Sequence, residues 1–275
     1  MTSFDEQTKS LPRGTVVVLG VPTDENSSFL RGAALAPKRI HEALHSGSAN
    51  MSTELGRDLG SAGGWAELGD MDLSSGPQAI VEIEAVVARL LESGYRVLSL
   101  GGDHSITYPL VKAHANFHKG LTVLQFDAHP DTYDEFEGNR YSHASPFARI
   151  MEEGLGVRLV QVGIRTMNPH QRQQADRFGI VAVEMKDWQA DRLPKLEAPL
   201  YISLDLDALD PAYAPGVSHY EPGGLSTRDV LRVIHSLPSP VGADIVEFNP
   251  TRDLNGMTAM VAAKFCKELV GRMLP

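Results

Sequence analysis

The chain has 275 residues, 42% of them hydrophobic, a formal net charge of −10 at pH 7 and a single cysteine, Cys266. This length and apolar content are typical of one large globular α/β domain. The negative charge argues against a nucleic-acid partner, because it would repel phosphate groups, and it favours the approach of a cationic substrate. One cysteine excludes both an intramolecular disulfide and a thiolate zinc cluster.

The first nine residues are polar and lack the apolar core of a signal peptide. No apolar run approaches the roughly 20 residues that a membrane-spanning helix needs. We therefore expect no membrane partner and a cytoplasmic location.

Apolar runs and helical spacings alternate along the chain. Strands are predicted at 16–20, 95–100, 121–126, 157–164, 181–183, 200–204 and 242–248, with a short one near Trp65. Helices are predicted at 36–44, 78–92, 106–117, 142–152, 169–178, 227–237 and 257–273. This order predicts an α/β fold with a mainly parallel sheet covered by helices on both faces. Because no linker interrupts it, we expect one domain over residues 1–275.

Three of the predicted strands end in residues that can bind metals. Asp127-Ala-His129-Pro-Asp131 follows 121–126, Asp205-Leu-Asp207 follows 200–204, and His104 follows 97–100 within Gly-Gly-Asp-His-Ser. An α/β protein places its chemistry at these strand ends. Since positions i, i+2 and i+4 of an extended chain share a face, we expect the side chains within each segment to point the same way.

Six such ligands predict a pair of metal ions. Four neighbouring carboxylates repel one another unless cations lie between them, and six ligands are too many for one tetrahedral zinc. Two divalent ions roughly 3.5–4 Å apart fit better. Oxygen ligands with a minority of imidazole favour Mn²⁺, while Zn²⁺, Ni²⁺ and Co²⁺ stay open. The alternative is that the aspartates cap helices or form turns and that His104 is a structural histidine. Asp103 is expected behind the ligands and Asp210 in a turn.

Four segments together resemble the ureohydrolases, the arginase/agmatinase family. They are Gly101-Gly-Asp-His-Ser105, Asp127-Ala-His-Pro-Asp131, Ser203-Leu-Asp-Leu-Asp-Ala-Leu-Asp-Pro211 and Glu221-Pro-Gly-Gly-Leu-Ser226. The stretches 136–145, 214–223, 246–253 and 255–263 are similar to plant-type arginases in particular. The resemblance runs from about residue 15 to the C-terminus. It implies a three-layer α/β/α fold, two Mn²⁺ ions per subunit, a small guanidino substrate, and trimers or hexamers.

The resemblance also implies a role for each ligand. His104 would bind one ion and His129 the other. Asp127 and Asp205 would bridge the two ions, while Asp131 and Asp207 would each complete the coordination of one.

Further roles concern the reaction and the substrate. Attack on a guanidinium carbon at neutral pH needs hydroxide, and Asp131 could hydrogen-bond it and pass its proton to the leaving amine. By resemblance, His143 would be a proton shuttle and Glu247 would bind the guanidinium. Asn139 would bind the α-carboxylate, and His219 would lie near the pocket. The alternatives are a surface or helix-terminal His143, a buried ion pair at Glu247 and a solvated turn residue at Asn139.

The expected reaction is hydrolysis of L-arginine to L-ornithine and urea. The nearest alternative is an agmatinase, which converts agmatine to putrescine and urea. Other guanidino acids and formiminoglutamate are further alternatives. Two hypotheses from other functional classes are a single-zinc amide hydrolase and an inactive metal-binding protein.

Overall fold

The computed structural model describes residues 3–155, 157–189 and 193–275. Within these residues, eight strands form one sheet: β1 (Val16–Val21), β2 (Trp65–Asp70), β3 (Arg96–Gly101), β4 (Thr122–Phe126), β5 (Arg158–Ile164), β6 (Val181–Glu184), β7 (Leu200–Asp205) and β8 (Gly242–Val246). All neighbouring strands are parallel, in the order β2-β1-β3-β8-β7-β4-β5-β6.

Helices connect these strands: α1 (Ser3–Thr8), α2 (Ala36–Leu44), α3 (Pro77–Glu92), α4 (Thr107–Phe117), α5 (Pro146–Glu152), α6 (Pro169–Phe178), α7 (Thr227–Ser236) and α8 (Met257–Met273). Because side chains alternate along a strand, the sheet buries two separate apolar layers. Val16 and Val18 face the layer that contains residues of α2, α7 and α8. Val17 and Leu19 face the layer that contains residues of α3, α4 and α5. The predicted α/β/α fold with a parallel sheet is confirmed.

The predicted elements differ from the structure at a few boundaries. The helix predicted from 142 begins at Pro146. Proline fits the first turn of a helix, and it disfavours helical geometry in the residue that precedes it. Residues 142–145 therefore form turns, and His143 lies in that segment. The last strand ends at Val246, and helix α1 was not predicted. Ser226 caps α7 together with Asp229 in a capping box.

The sheet order brings the important strand ends together. Strands β3, β8, β7 and β4 are direct neighbours at its centre, so their carboxyl ends lie along one edge. The close approach of the loops there requires glycine at two positions. A Cβ atom on Gly102 would lie 1.6 Å from the carbonyl oxygen of Thr23, and Gly163, at φ +102°, faces the backbone of Asp127.

Two expectations concern the whole chain. Strands from both ends of the sequence, β1 and β8, each pair with β3. The expectation of one domain over residues 1–275 stays a prediction. Residues 1, 2, 156 and 190–192 lie outside the described part. None of the described helices is long and apolar enough to cross a membrane. Cys266 is buried in α8.

His114 gives a test of the packing beneath the sheet. It is buried in α4, donates from Nδ1 to the carbonyl oxygen of Leu110 (2.8 Å), and burial lowers its pKa to about 4. Between the ordinary histidine pKa of about 6.5 and pH 4, the unfolded chain binds a proton that the folded chain does not, so stability falls as pH falls. Between pH 7 and pH 4.5, we expect the free energy of unfolding to fall by roughly 2 kcal/mol less in His114→Gln than in the wild type, as measured by urea unfolding. Equal losses in both proteins would contradict this.

Candidate metal centre

The predicted ligands come together through irregular backbone. Strand β4 ends at Phe126, one residue before Asp127, and His104 and Asp207 lie in single turns of 3₁₀ helix. Asp131 has φ +50°, in the left-handed region that side chains rarely adopt. The extended geometry predicted for these segments is wrong. The side chains nevertheless converge, because adjacent strands end at one edge and the turns direct them inward.

Asp127 lies between two groups of ligands. Its Oδ2 is 3.0 Å from Nδ1 of His104, and its Oδ1 is 3.5 Å from Nδ1 of His129. Asp131 completes the first group, with Oδ2 3.0 Å from the His104 nitrogen. Asp207 completes the second, with Oδ2 3.0 Å from the His129 nitrogen. Asp205 lies beside the first group, 3.2 Å from His104. Each group of three has its ligand atoms within 4.8 Å of one another and could hold an ion.

The hydrogen bonds of His104 determine which of its nitrogens faces the carboxylates. Ser203 Oγ lies 2.8 Å from Oδ1 of Asp244 and 3.0 Å from Nε2 of His104. Since Ser203 donates its proton to Asp244, Nε2 of His104 must be the protonated nitrogen that donates to Ser203. Its Nδ1 then carries a lone pair, and among the described residues it is buried with no hydrogen-bond partner. A lone pair surrounded by three carboxylate oxygens is repulsive unless a cation lies between them, so this donor set fits a metal ion.

A row of buried polar residues lies directly beneath the ligands. In the register of the sheet, Ser99 pairs with Asp244, Asp244 with Ser203, Ser203 with Gln125, and Gln125 with Gln161. We call these five residues the polar row. The Gln125 amide donates to Oδ2 of Asp127 (2.6 Å), and the Gln161 amide donates to Gln125 (2.6 Å). None of these five residues was predicted as part of the site, although single polar residues inside otherwise apolar strands are a visible signal.

The carboxylates strongly favour positive charge at this site. Burial and the charge of Asp127 raise the pKa of Asp131 to about 7. Burial and the charges of Asp207 and Asp127 raise the pKa of Asp205 well above its ordinary range. Burial disfavours a charged His129, but Asp207 and Asp127 outweigh this and raise the pKa of its imidazole to about 12. Metal cations would supply the same compensation and displace these protons.

His143 and Glu247 form one wall of the centre. Nδ1 of His143 lies 2.8 Å from Oε1 of Glu247, which also accepts from the backbone N–H of His104 (2.8 Å). The backbone N–H of Ser28 donates to Nε2 of His143 (3.2 Å), so Nδ1 is the protonated nitrogen that donates to Glu247. Glu247 has φ +62°, a strained conformation of the kind found at functional sites. His143 is only 7% exposed, which does not fit the alternative of a surface histidine.

A cleft of about 240 Å³ opens onto the ligands. Its walls contain Ser28, His129, Asp131, Tyr133, Phe136, His143, Ala144, Thr166, Gln171, Asp205, Asp207, His219, Glu221 and Glu247. His219 lies as expected near the pocket, with its ring 5.9 Å from that of His129 and 5.4 Å from that of His143. Ser28, Tyr133, Gln171 and Glu221 were not predicted as site residues. Ser28 and Tyr133 come from loops without a motif, Gln171 lies in α6, and Glu221 begins one of the four resembling segments but was given no role there.

Asn139 is not brought to the cleft. Its amide nitrogen donates to Oδ1 of Asn26 (3.0 Å), and its oxygen accepts from the backbone N–H of Tyr141 (2.9 Å). Its role toward the α-carboxylate therefore stays a prediction. Asp103 accepts from the backbone N–H groups of Ser105 and Asn26, and Asp210 accepts from those of Ala212 and Gly223, as expected of a turn residue.

Comparison with known proteins identifies the family. A family model described as the arginase family matches residues 14–271. The chain belongs to the arginase family. Arginase 1, mitochondrial, of Arabidopsis thaliana is 49% identical over 95% of this chain and 82% of its own length. The structure of arginase from Medicago truncatula superposes with a TM-score of 0.90 at 41% identity, over 98% of this chain and 91% of that one.

An agmatinase is a more distant member of the family. The agmatinase of Bacillus anthracis is 31% identical over 97% of this chain and 94% of its own length. The resemblance to ureohydrolases, and to plant-type arginases in particular, is confirmed by these comparisons.

The cytoplasmic location expected from the sequence is corrected by the comparison. The Arabidopsis arginase at 49% identity is named as mitochondrial, which points away from the cytoplasm. Composition and the lack of apolar segments describe the folded domain, whereas a compartment is specified by targeting signals that the fold does not need.

The contact between Ser203 and His104 gives a test of this arginase-family centre. Ser203→Ala leaves the buried Nε2–H of His104 unpaired and frees the ring to turn, so we expect Mn²⁺ affinity to fall roughly 10- to 100-fold. Mn²⁺ binding is measured by equilibrium dialysis with elemental analysis. Ser99→Ala is the matched control, since Ser99 lies in the polar row on the other side of Asp244 and its hydroxyl has no partner among the described residues. Equal effects of both variants would contradict the role of Ser203.

Proposed function

We propose that this chain is a manganese-dependent arginase, which hydrolyses L-arginine to L-ornithine and urea. The position of Asp127, with one oxygen toward His104 and the other toward His129, is the observation on which the proposal depends. A carboxylate shared by two ligand groups supports a pair of ions rather than one. Identity of 49% to a plant arginase, against 31% to an agmatinase, supports arginine as the substrate.

Two Mn²⁺ ions are the proposed cofactors. His104 and Asp131 would hold one, His129 and Asp207 the other, and Asp127 and Asp205 would bridge them. The set has four carboxylates, two imidazoles and no thiolate. Such ligands suit Mn²⁺ better than metals that prefer thiolate. When bound, the ions supply hydroxide at neutral pH by lowering the pKa of water.

The residues of the cleft supply the remaining steps. Asp131 lines the cleft, where it would accept a hydrogen bond from the attacking nucleophile and later give the proton to the leaving amine. Glu247 would accept hydrogen bonds from the guanidinium, whose charge it balances. Oε1 of Glu247 is held by His143 and by the backbone N–H of His104, and this would orient the carboxylate toward the substrate.

His143 is proposed to carry the proton between the leaving amine and solvent. Its ring is held at both nitrogens, by Glu247 and Ser28, in the wall of the cleft. A fixed imidazole next to the reacting groups is placed to transfer a proton.

The tail of the substrate would lie toward the outer walls of the cleft. His219 is proposed to contact it, and Glu221, also in the wall, could pair with the α-ammonium group. Asn139 remains the candidate for the α-carboxylate, which it could contact only after its amide leaves Asn26.

We propose further that residues 1–275 form one domain and that the chain assembles into trimers or hexamers. Pairing of β1 and β8 with the same strand supports the first proposal. Exposed Leu254, Met257 and Met260 near the start of α8 support an interface. Sedimentation should give three or six times the 29.9 kDa subunit mass, and a monomer would contradict the assembly.

The substrate is tested by urea release from Mn²⁺-loaded protein with L-arginine and agmatine at equal concentrations. We expect kcat/KM for arginine to exceed that for agmatine at least about 100-fold, because agmatine lacks the carboxylate for which Asn139 would leave Asn26 and so loses that contact. Preference for agmatine would instead support an agmatinase.

Two controls accompany this test. Elemental analysis of the same preparation should give two manganese ions per chain, and one zinc ion per chain would support a single-zinc amide hydrolase. Asp127→Asn should abolish activity on both substrates, since Asp127 is shared by both ligand groups.

The role of His143 is tested by His143→Gln. We expect kcat to fall roughly 10²- to 10³-fold, because the variant cannot transfer a proton, while the manganese content stays at the wild-type value. Imidazole added to the buffer should restore part of the rate. Unchanged kcat would rule out the shuttle, and a loss of manganese would indicate a structural role instead.

A further inference from the structure

A second cluster of metal-binding side chains lies on α2 and β2. His41 and His45 are four residues apart on α2, so both rings project from the same side of the helix. Glu67 of the edge strand β2 lies opposite them. Its Oε1 is 2.8 Å from Nδ1 of His41, and its Oε2 is 2.6 Å from Nε2 of His45. We call these three residues the edge cluster.

The elements that carry the edge cluster hold its side chains in place. Helix α2 packs on the sheet through Ala36, Ile40 and Leu44, and β2 is hydrogen-bonded along β1. The ring centroids of the two histidines are 4.6 Å apart. The three ligand atoms lie within 4.8 Å of one another. Each oxygen of the Glu67 carboxylate thus contacts one of the two imidazoles. The backbone of α2 and β2 is held in place by packing before any ion binds.

The chemistry of the edge cluster differs from that of the candidate metal centre. Two imidazoles and one carboxylate are the ligand set of many zinc sites, with the remaining position open to water. Imidazole nitrogen is a ligand that suits Zn²⁺, Cu²⁺ and Ni²⁺, whereas carboxylate oxygen suits Mn²⁺. The centre at the strand ends has carboxylates in the majority. The two sites are therefore expected to select different metals.

We propose that His41, His45 and Glu67 form a separate binding site for Zn²⁺ or a similar late transition metal. None of the three lines the cleft of the candidate centre. A cavity of about 310 Å³ lies beside the site, with His41, Glu67 and Asp70 in its wall. Asp70 adds negative charge near the ion, and the cavity leaves space for water as a further ligand.

The sequence of the site matches a known zinc pattern in part. His41-Glu42-Ala43-Leu44-His45 has two histidines with a glutamate directly after the first, which is the spacing used by zinc peptidases. In those enzymes the glutamate is the general base. Here Glu42 is exposed and paired with Arg39 instead. The edge cluster therefore binds a metal without the peptidase chemistry.

The test is equilibrium dialysis of Mn²⁺-loaded protein against Zn²⁺ in a large excess of Mn²⁺, with zinc counted by elemental analysis. The wild type should bind one zinc ion per chain more than the double variant His41→Ala/His45→Ala. Glu67→Gln should weaken this binding about tenfold or more, because it replaces a charged ligand by a neutral one. Anomalous scattering at the zinc edge should place the ion between the three side chains.

Glu42→Gln is the matched control, since it removes a carboxylate from the same helix without touching the edge cluster, and it should bind zinc like the wild type. Exchange of zinc into the candidate metal centre affects all variants equally and cancels in the comparison. Manganese-dependent urea release by each variant shows that it is folded. Equal zinc binding by the wild type and the double variant would overturn the proposal, as would equal weakening by Glu42→Gln and Glu67→Gln.

Discussion

The mutual repulsion of four carboxylates at adjacent strand ends is the constraint on which the rest of this structure depends. Asp127, Asp131, Asp205 and Asp207 are buried, and the imidazoles of His104 and His129 lie among them. Carboxylates in such a poorly solvated place keep their charge only beside cations. The raised pKa of Asp131 and the lone pair of His104 that faces the carboxylates both show this demand for positive charge. We therefore expect metal ions to balance the charge of the carboxylates at this edge of the sheet.

The polar row explains how so charged a site is kept rigid. The backbone groups of the central strands are occupied by the sheet ladders, so the side chains of the row are free to bond to the ligands. Gln125 fixes Asp127, and Ser203 together with Asp244 fixes the tautomer of His104. Because Gln161 donates to Gln125 and Ser203 donates to Asp244, a shift of one ligand would disturb several bonds. Ligand geometry in this chain is thus a property of the sheet as well as of the loops.

The two candidate metal sites differ in their ligands, and this difference would let one chain bind two kinds of cation. The strand-end centre is rich in carboxylates and lies at the bottom of a cleft, where substrate can approach. The edge cluster is richer in imidazole and lies on the outer strand, away from the cleft walls. Ligand softness and position, rather than overall charge, distinguish the two.

The sequence by itself determined the alternation of strands and helices, the parallel sheet and the six ligand-type residues. Apolar periodicity and polar residues at strand ends are local features that a sequence displays directly. The tertiary structure alone decided the contact of His143 with Ser28 and the engagement of Asn139 with Asn26. It also decided the left-handed backbone of Asp131 and Glu247. The contacts of His143 and Asn139 join segments 115 and 113 residues apart, which packing brings together and no local pattern encodes.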